Sequence, residues 1–128
     1  MAMKFTARIV AIFVALFLAG CGDYSVSLRG GYSFVRTDGA NRSIVNKENG
    51  VVVYPDVASY EEINKFIVGC RQKSRLPLSE KPEFTTGFGY FILDTETGKY
   101  SGGLSAAAFS NERKLLGLPE SAPHASCP

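Results

Sequence analysis

The feature that most constrains this chain is an unbroken apolar run at residues 9–18, which follows a short basic segment containing Lys4 and Arg8. A positive segment followed by an apolar stretch of this length is typical of a secretory signal. The run is too short for a membrane-spanning helix, which needs about 20 apolar residues. The sequence therefore predicts export, and it leaves the residues after position 20 to build the folded part.

Residues 18–21, Leu-Ala-Gly-Cys, end the apolar run and resemble the lipobox of bacterial lipoprotein precursors. This resemblance implies transfer of diacylglycerol to the Cys21 sulfur and cleavage between Gly20 and Cys21. An ordinary secretory signal with a cysteine nearby, or an N-terminal anchor helix, is the alternative. The resemblance predicts a lipid-anchored protein of the bacterial cell envelope that faces the periplasm or the cell surface. Gly22 and Asp23 favour the outer membrane.

The rest of the sequence predicts one folded domain between two irregular segments. With residues 1–20 removed as the signal, residues 21–31 are small and polar enough for a lipidated tether. Residues 32–118 then form a single globular domain, and residues 119–128 form a loose C-terminal tail. A domain of this size buries about 60–70% of its unfolded surface, which is enough for one modest core.

The charge balance argues against a nucleic-acid partner. The chain carries 14 Lys and Arg residues against 12 Asp and Glu residues, a formal net charge of +2. Lys4 and Arg8 would leave with the signal, so the mature part is formally neutral and presents no basic excess for nucleic acid. His124 is the only histidine and lies in the tail, so the sequence predicts no metal site and no cofactor.

Two cysteines remain once Cys21 carries lipid, and they can form a disulfide. Export would place Cys70 and Cys127 in a compartment that is oxidising in many bacteria. A bridge between them would contribute roughly 4 kcal/mol in the chain-entropy model. The alternative is that Cys70 is a buried small hydrophobe and Cys127 is a free thiol next to the last residue.

The mature sequence consists mainly of short β segments. Runs of aromatic and β-branched residues separated by turn residues predict strands at 32–37, 43–47, 51–54, 65–72, 87–93 and 100–104. Asn49-Gly50, between two of these runs, predicts a tight hairpin because both residues tolerate positive φ. Residues 94–99, Asp-Thr-Glu-Thr-Gly-Lys, predict a second turn.

A single C-terminal helix is predicted at residues 106–116. Ser105 suits the N-cap position, and basic residues follow near the C-terminal end, where they favour the helix dipole. Phe109 and Leu116 are seven residues apart and mark the face that is predicted to pack on a sheet. Gly117 suits the C′ position, where helices commonly reverse with positive φ.

A second helical signal lies in the middle of the chain. Ser59 and Glu62 stand at capping-box spacing, which predicts a turn or one helical turn over residues 58–64. Residues 74–86 contain prolines and scattered charges and predict a loop. Runs of strands followed by one helix predict an α+β fold, a small antiparallel β-meander of about five to six strands with one C-terminal α-helix packed on it.

Residues 90–99, Tyr-Phe-Ile-Leu-Asp-Thr-Glu-Thr-Gly-Lys, are followed by Gly-Gly-Leu at 102–104 and by the predicted helix. This arrangement resembles the C-terminal part of short bacterial lipoproteins that form a domain-of-unknown-function family. In that family a stretch like Gly-Tyr-Ser-Phe-Val-Arg-Thr, here residues 31–37, lies near the start of the mature domain. The resemblance implies the fold and the envelope location, and it implies no catalytic residue.

The sequence contains no recognisable catalytic constellation. A serine or cysteine nucleophile usually needs a histidine base, and His124 is predicted to lie in the tail. The sequence therefore predicts a non-enzymatic envelope lipoprotein that binds the membrane through lipid on Cys21 and binds a protein partner through its domain. The alternatives are a structural accessory subunit of an envelope assembly, and a small-ligand binder or enzyme.

Overall fold

The computed structural model describes residues 23–37, 41–75, 79–119 and 127. Within these ranges, β strands dominate the regular structure. The strands are β1 (Tyr24–Ser27), β2 (Ser33–Thr37), β3 (Asn41–Val45), β4 (Val51–Val53), β5 (Val57–Ile63), β6 (Phe66–Arg71), β7 (Gly89–Asp94) and β8 (Tyr100–Leu104). The helices are α1 (Pro82–Thr85) and α2 (Ala106–Leu115), and a 3₁₀ turn spans Arg29–Gly31.

The described strands form two antiparallel sheets instead of the single predicted meander. The first sheet has the order β1-β2-β3-β4, and the second has the order β5-β6-β7-β8. The chain leaves the first sheet at Pro55, which has no backbone N–H and therefore cannot continue a ladder. The α+β class with mostly antiparallel strands and a C-terminal helix is confirmed, whereas the single meander of five to six strands is matched only roughly, because β1 and β5 add two strands and the strands divide into two sheets.

A hydrophobic core lies between the two sheets. It takes buried side chains from both of them, and these are Phe34, Ile44, Val53, Val57, Ile67, Phe91 and Leu93. Side chains alternate between the two faces of a strand, so the inward positions of each strand line this core. Burial of apolar surface stabilises the sandwich by about 25 cal/mol for each Å² removed from water.

Helix α2 covers the outer face of the second sheet. The Ser105 Oγ accepts a hydrogen bond from the Ala108 N–H at 3.1 Å, which confirms the predicted N-cap. Phe109 stacks on Tyr90 with ring centroids 4.5 Å apart. A second buried cluster under the helix consists of Phe66, Val68, Ile92 and Leu118.

The C-terminal end of α2 packs differently from the prediction. Leu116 is 41% exposed and follows the last helical residue, so its predicted contact with the sheet is wrong. Arg113 is buried instead, with its guanidinium 5.2 Å from the Phe109 ring centroid. Gly117 adopts a φ of 68°, as its predicted C′ position requires. The resulting reversal buries Leu118 where the periodicity predicts Leu116.

The segment for which the sequence predicts a helical turn forms strand β5. Its seven residues pair with β6, and Asn64, with a φ of 53°, starts the tight turn between the two strands. Tyr60 packs against the core between the sheets. Strand pairing and burial therefore outweigh the helical preference of the capping box. The Glu62 carboxylate does not cap a helix and instead accepts a hydrogen bond from the Arg29 N–H at 2.8 Å.

Three segments that the sequence predicts to be irregular contain a strand, a short helix and a disulfide-bonded cysteine, respectively. The predicted tether at residues 21–31 includes strand β1, so the described domain begins earlier than position 32. The predicted loop at residues 74–86 includes α1. The predicted tail at residues 119–128 includes Cys127, which is bonded to Cys70.

Strand directions and cross-sheet contacts define two ends of the sandwich. At the end where β1 begins, named the Tyr24 end, β3 also begins and β6 finishes. There Arg42 of β3 contacts Asp56 at the β4–β5 corner. At the opposite end, named the distal end, the Arg29 N–H bonds to the side chain of Glu62 near the end of β5.

Candidate functional site

A partly buried ion pair joins the first sheet to the β4–β5 corner at the Tyr24 end. The Arg42 guanidinium donates to the Asp56 carboxylate from Nε to Oδ1 and from Nη2 to Oδ2, and both distances are 2.8 Å. Gln72 donates from Nε2 to the Asp56 Oδ2 at 2.8 Å. The backbones of Asp56 and Gln72 also exchange hydrogen bonds of 3.1 and 2.8 Å. Asp56, which is 4% exposed, is thus held from β3 and from the segment after β6.

This network keeps Asp56 charged. Burial raises the pKa of Asp56, but hydrogen bonds from Arg42 and Gln72 outweigh burial and hold that pKa below its ordinary value. The bond to Asp56 in turn raises the pKa of Arg42 above its ordinary value. A carboxylate with a lowered pKa and engaged oxygens is a poor general base at neutral pH. The pair therefore connects the first sheet to the β4–β5 corner.

Arg71, at the end of β6, connects the β4–β5 corner to α1. It is 4% exposed, and its guanidinium donates to three backbone carbonyls. The distances are 3.0 Å from Nε to Pro55, 2.5 Å from Nη1 to Thr86 and 2.7 Å from Nη2 to Glu83. The Arg71 guanidinium lies 4.7 Å from the Phe88 ring centroid. Burial lowers the pKa of Arg71, but an arginine stays charged because its ordinary pKa lies far above neutral pH.

These contacts shape a shallow cleft of about 200 Å³ at the Tyr24 end. The cleft is mainly apolar with a few polar groups, and its lining residues are Pro55, Lys73, Ser74, Ser79, Phe84, Thr85 and Phe88. Phe84 meets Tyr54 edge-on, with ring centroids 5.0 Å apart. Pockets for small molecules usually enclose about 300–1,000 Å³. The cleft is therefore small for a metabolite or a drug-sized ligand.

Several polar side chains lie in and beside the cleft. Ser74 donates to the buried Asn41 Oδ1 at 2.7 Å, and the Asn41 Nδ2 has no hydrogen-bond partner among the described residues. In the described ranges, no three His, Cys, Asp or Glu residues are grouped to hold a metal ion. Lys73 contributes one cation to the cleft, and the other polar lining groups are hydroxyls.

Strand β1 is an edge strand with an open side. Its only neighbour in the described sheet is β2, and all four of its residues are exposed. Tyr24 is 45% exposed and Val26 is 41% exposed, and both lie on the same face because they are two residues apart. Edge strands are commonly protected by lysine, proline or a bulge. The Tyr-Ser-Val-Ser sequence of β1 has no such residue, and its register with β2 is regular.

The residues singled out by sequence fall in different parts of the chain. Gly20, Cys21 and His124 lie outside the described residues. Cys70 and Cys127 are joined by a disulfide, with their Cα atoms 5.5 Å apart. The Cys127 N–H donates to the Tyr90 hydroxyl at 3.0 Å, so this residue lies on the same face of the second sheet as α2.

Sequence reasoning missed the buried polar residues of the Tyr24 end. Arg42 lies in β3 and Asp56 lies at the β4–β5 corner, and no local pattern predicts that these two segments will meet. Arg71 has a usable signal, because it ends an apolar run and alternates with Ile67 and Gly69 on the inward face of β6. A cation at such a position predicts a buried guanidinium that needs several acceptors.

No helix within the described part of the chain is long and apolar enough to cross a membrane. The observed features define a small antiparallel β-sandwich that is covered by one helix and closed by a disulfide. Residues 29–125 match DUF3997, a family described as proteins of unknown function, and the chain belongs to this family. No curated protein and no solved structure matches the chain significantly.

Proposed function

We propose that this protein is a lipid-anchored, non-enzymatic protein of the bacterial envelope that binds a partner protein by strand addition to β1. The anchor is supported by residues 18–21 and the apolar run before them. The binding role is carried by one observation, which is that β1 is exposed along its whole length and presents Tyr24 and Val26 on one face. Tyrosine is enriched at protein interfaces, and an open strand edge supplies backbone hydrogen bonds to an extended peptide.

The hydrogen-bond pattern of β1 identifies the groups available to such a peptide. The Leu28 N–H donates to the Tyr32 carbonyl at 2.8 Å, in line with the register of β1 and β2. Bonded and non-bonded pairs alternate along an antiparallel ladder. The backbone N–H and C=O groups of Ser25 and Ser27 therefore point away from β2 and toward the open side.

Ser25→Pro is expected to weaken partner binding roughly tenfold or more while leaving the β1–β2 ladder intact. Proline at this position removes an outward N–H, and its ring blocks the approach of a partner strand. In the lipidated protein in its own membranes, a photoreactive phenylalanine analogue at Val26 is expected to cross-link one dominant protein. Loss of one backbone bond with its partner left unsatisfied costs about 1–3 kcal/mol, so cross-linking should fall roughly tenfold or more.

Ser25→Ala is the matched control, because it removes the hydroxyl and keeps the N–H. Cross-linked products are identified by mass spectrometry and compared between the two variants. Equal yields from Ser25→Pro and Ser25→Ala would exclude strand addition at this edge. A product that contains two copies of this chain would make the partner a second copy of the protein itself.

The lipid anchor predicts that Cys21→Ala abolishes labelling by a radioactive fatty acid and yields an uncleaved or soluble product. The acyl chains are attached through the Cys21 sulfur, and a membrane-bound state with two chains is stable. Labelling and membrane fractionation are measured together in growing cells. Cys127→Ala is the control and should remain labelled. Continued labelling of Cys21→Ala would rule out this anchor.

The two alternative functions predict different results. A structural accessory subunit would be found almost entirely within one stable envelope assembly. A small-ligand binder or enzyme would use the cleft beside Phe84 and Phe88, whose volume of about 200 Å³ is below the usual range for such sites. The small volume of the cleft is the reason to place protein binding ahead of small-ligand binding.

A further inference from the structure

The short chain between the proposed lipid anchor and the domain limits the distance and orientation of the domain relative to the membrane. This step rests on the proposed lipid at Cys21. Strand β1 begins at Tyr24, three residues after that cysteine. An extended chain advances at most about 3.6 Å per residue, so the Cα atoms of these two residues are no more than about 11 Å apart. The Tyr24 end is thus held next to the lipid headgroups, whereas the seven-residue strand β5 alone spans about 23 Å.

The Tyr24 end presents aromatic and basic side chains toward its surroundings. Tyr24 is exposed, and the Arg36 guanidinium lies 5.9 Å from its ring centroid. Lys73, Arg75 and Lys81 are exposed on the segments that follow β6 and precede α1. Tyrosine with arginine or lysine beside it is typical of the protein surface at a membrane–water interface.

The two ends of the sandwich also differ in charge. Among the described residues at the Tyr24 end, the Arg42–Asp56 pair is neutral, and five further cations (Arg36, Arg71, Lys73, Arg75 and Lys81) stand beside three carboxylates (Asp23, Glu80 and Glu83). Among the described residues at the distal end, five carboxylates (Glu48, Glu61, Glu62, Asp94 and Glu96) stand beside four cations (Arg29, Lys47, Lys65 and Lys99), so this end is close to neutral. A surface with anionic lipids therefore favours the Tyr24 end over the distal end.

We infer that the Tyr24 end docks on the anionic phospholipid surface that holds the anchor. Lys73, Arg75 and Lys81 contact the headgroups, and Tyr24 lies at the interface beside Arg36. The strands then lead away from the membrane, so the distal end faces the aqueous compartment. The open edge of β1 stays accessible from the side, where a partner strand can reach it.

Tryptophan fluorescence can test this orientation because the chain contains no tryptophan of its own. Phe84→Trp places a probe in the cleft at the Tyr24 end, and Tyr32→Trp places one at the distal end. Each lipidated full-length variant is reconstituted into vesicles of phosphatidylcholine and phosphatidylglycerol that contain a lipid with a nitroxide on its headgroup. The nitroxide is expected to quench the tryptophan at position 84 strongly and the tryptophan at position 32 little.

Charge reversal tests the role of the anionic headgroups. Lys73→Glu in the Phe84→Trp background is expected to lower the ratio of docked to undocked domain by at least about fivefold, since each cation near an anionic surface contributes about that factor. Lys99→Glu at the distal end is the matched control and should leave quenching unchanged. Vesicles of phosphatidylcholine alone should give weak quenching at position 84 for every variant.

Equal quenching at positions 84 and 32, or quenching at position 84 that Lys73→Glu does not reduce, would overturn the docking inference. These outcomes leave the anchor intact, because the mass of the lipidated Cys21 peptide and flotation with the vesicles are measured on the same samples. A protein that carries no lipid and does not float would overturn the anchor as well.

Discussion

Cys127→Ser should lower the free energy of unfolding by about 4 kcal/mol under oxidising conditions. The disulfide joins residues 57 positions apart, and closing a loop of this length removes about 4 kcal/mol of chain entropy from the unfolded state. For a domain of this size, the loss corresponds to a decrease in melting temperature of roughly 20 °C. The measurement is thermal unfolding of the purified full-length protein in detergent, followed by circular dichroism.

A reducing agent supplies the control for this prediction. When the wild-type disulfide is reduced, the wild-type protein and Cys127→Ser should unfold at nearly the same temperature. Serine is substituted at Cys127 because Cys70 is only 2% exposed, and a hydroxyl there would add a cost unrelated to the bond. Identical melting curves under oxidising conditions would mean that the bridge is absent or does not stabilise the fold.

Arg71→Met should lower the free energy of unfolding by about 3 kcal/mol. Methionine replaces the apolar stem, but the carbonyls of Pro55, Glu83 and Thr86 lose the donors that the guanidinium provides. An unsatisfied buried acceptor costs about 1–3 kcal/mol, and the low end applies where water can reach the group. Urea denaturation of the solubilised protein measures the change. We expect α1 to detach from the β4–β5 corner as well.

Two further substitutions separate the hydrogen bonds of Arg71 from its charge. Arg71→Lys keeps the positive charge but cannot donate in three fixed directions, so it should recover only part of the lost stability. Arg75→Met, at an exposed position nearby, should change the stability by less than about 0.5 kcal/mol. Equal stability of wild type and Arg71→Met would show that the three carbonyl bonds contribute nothing.

Local sequence signals predict several elements correctly because their causes are local. Runs of aromatic and β-branched residues lie where β2, β6, β7 and β8 form. The β3–β4 hairpin also forms around Asn49-Gly50, although its loop is longer than a two-residue turn. The Asn46 Oδ1 accepts hydrogen bonds from the Glu48 and Gly50 N–H groups at 3.1 and 2.8 Å, and of the two predicted turn residues only Asn49 has positive φ.

For some segments the local sequence fits two structures, and contacts with the rest of the fold decide between them. The alternation in Tyr-Ser-Val-Ser fits a strand, but its small polar residues also fit a tether, and pairing with β2 decides between them. The capping-box spacing of Ser59 and Glu62 fits a helix, whereas β6 offers that segment a complete strand ladder. Of the candidate site, the sequence predicts the anchor at Cys21, and neither the cleft nor the open edge is readable from it.

The sequence by itself determined features whose interactions span only a few residues. The Ser105 cap bonds three residues along the chain, and Gly117 adopts its positive φ without any distant partner. Tertiary structure alone decided that Arg42 meets Asp56, that Arg71 binds three carbonyls, and which strand remains at the open edge. Local propensities act through neighbouring residues, but these contacts depend on which distant segments pack together, and that choice minimises the free energy of the whole domain.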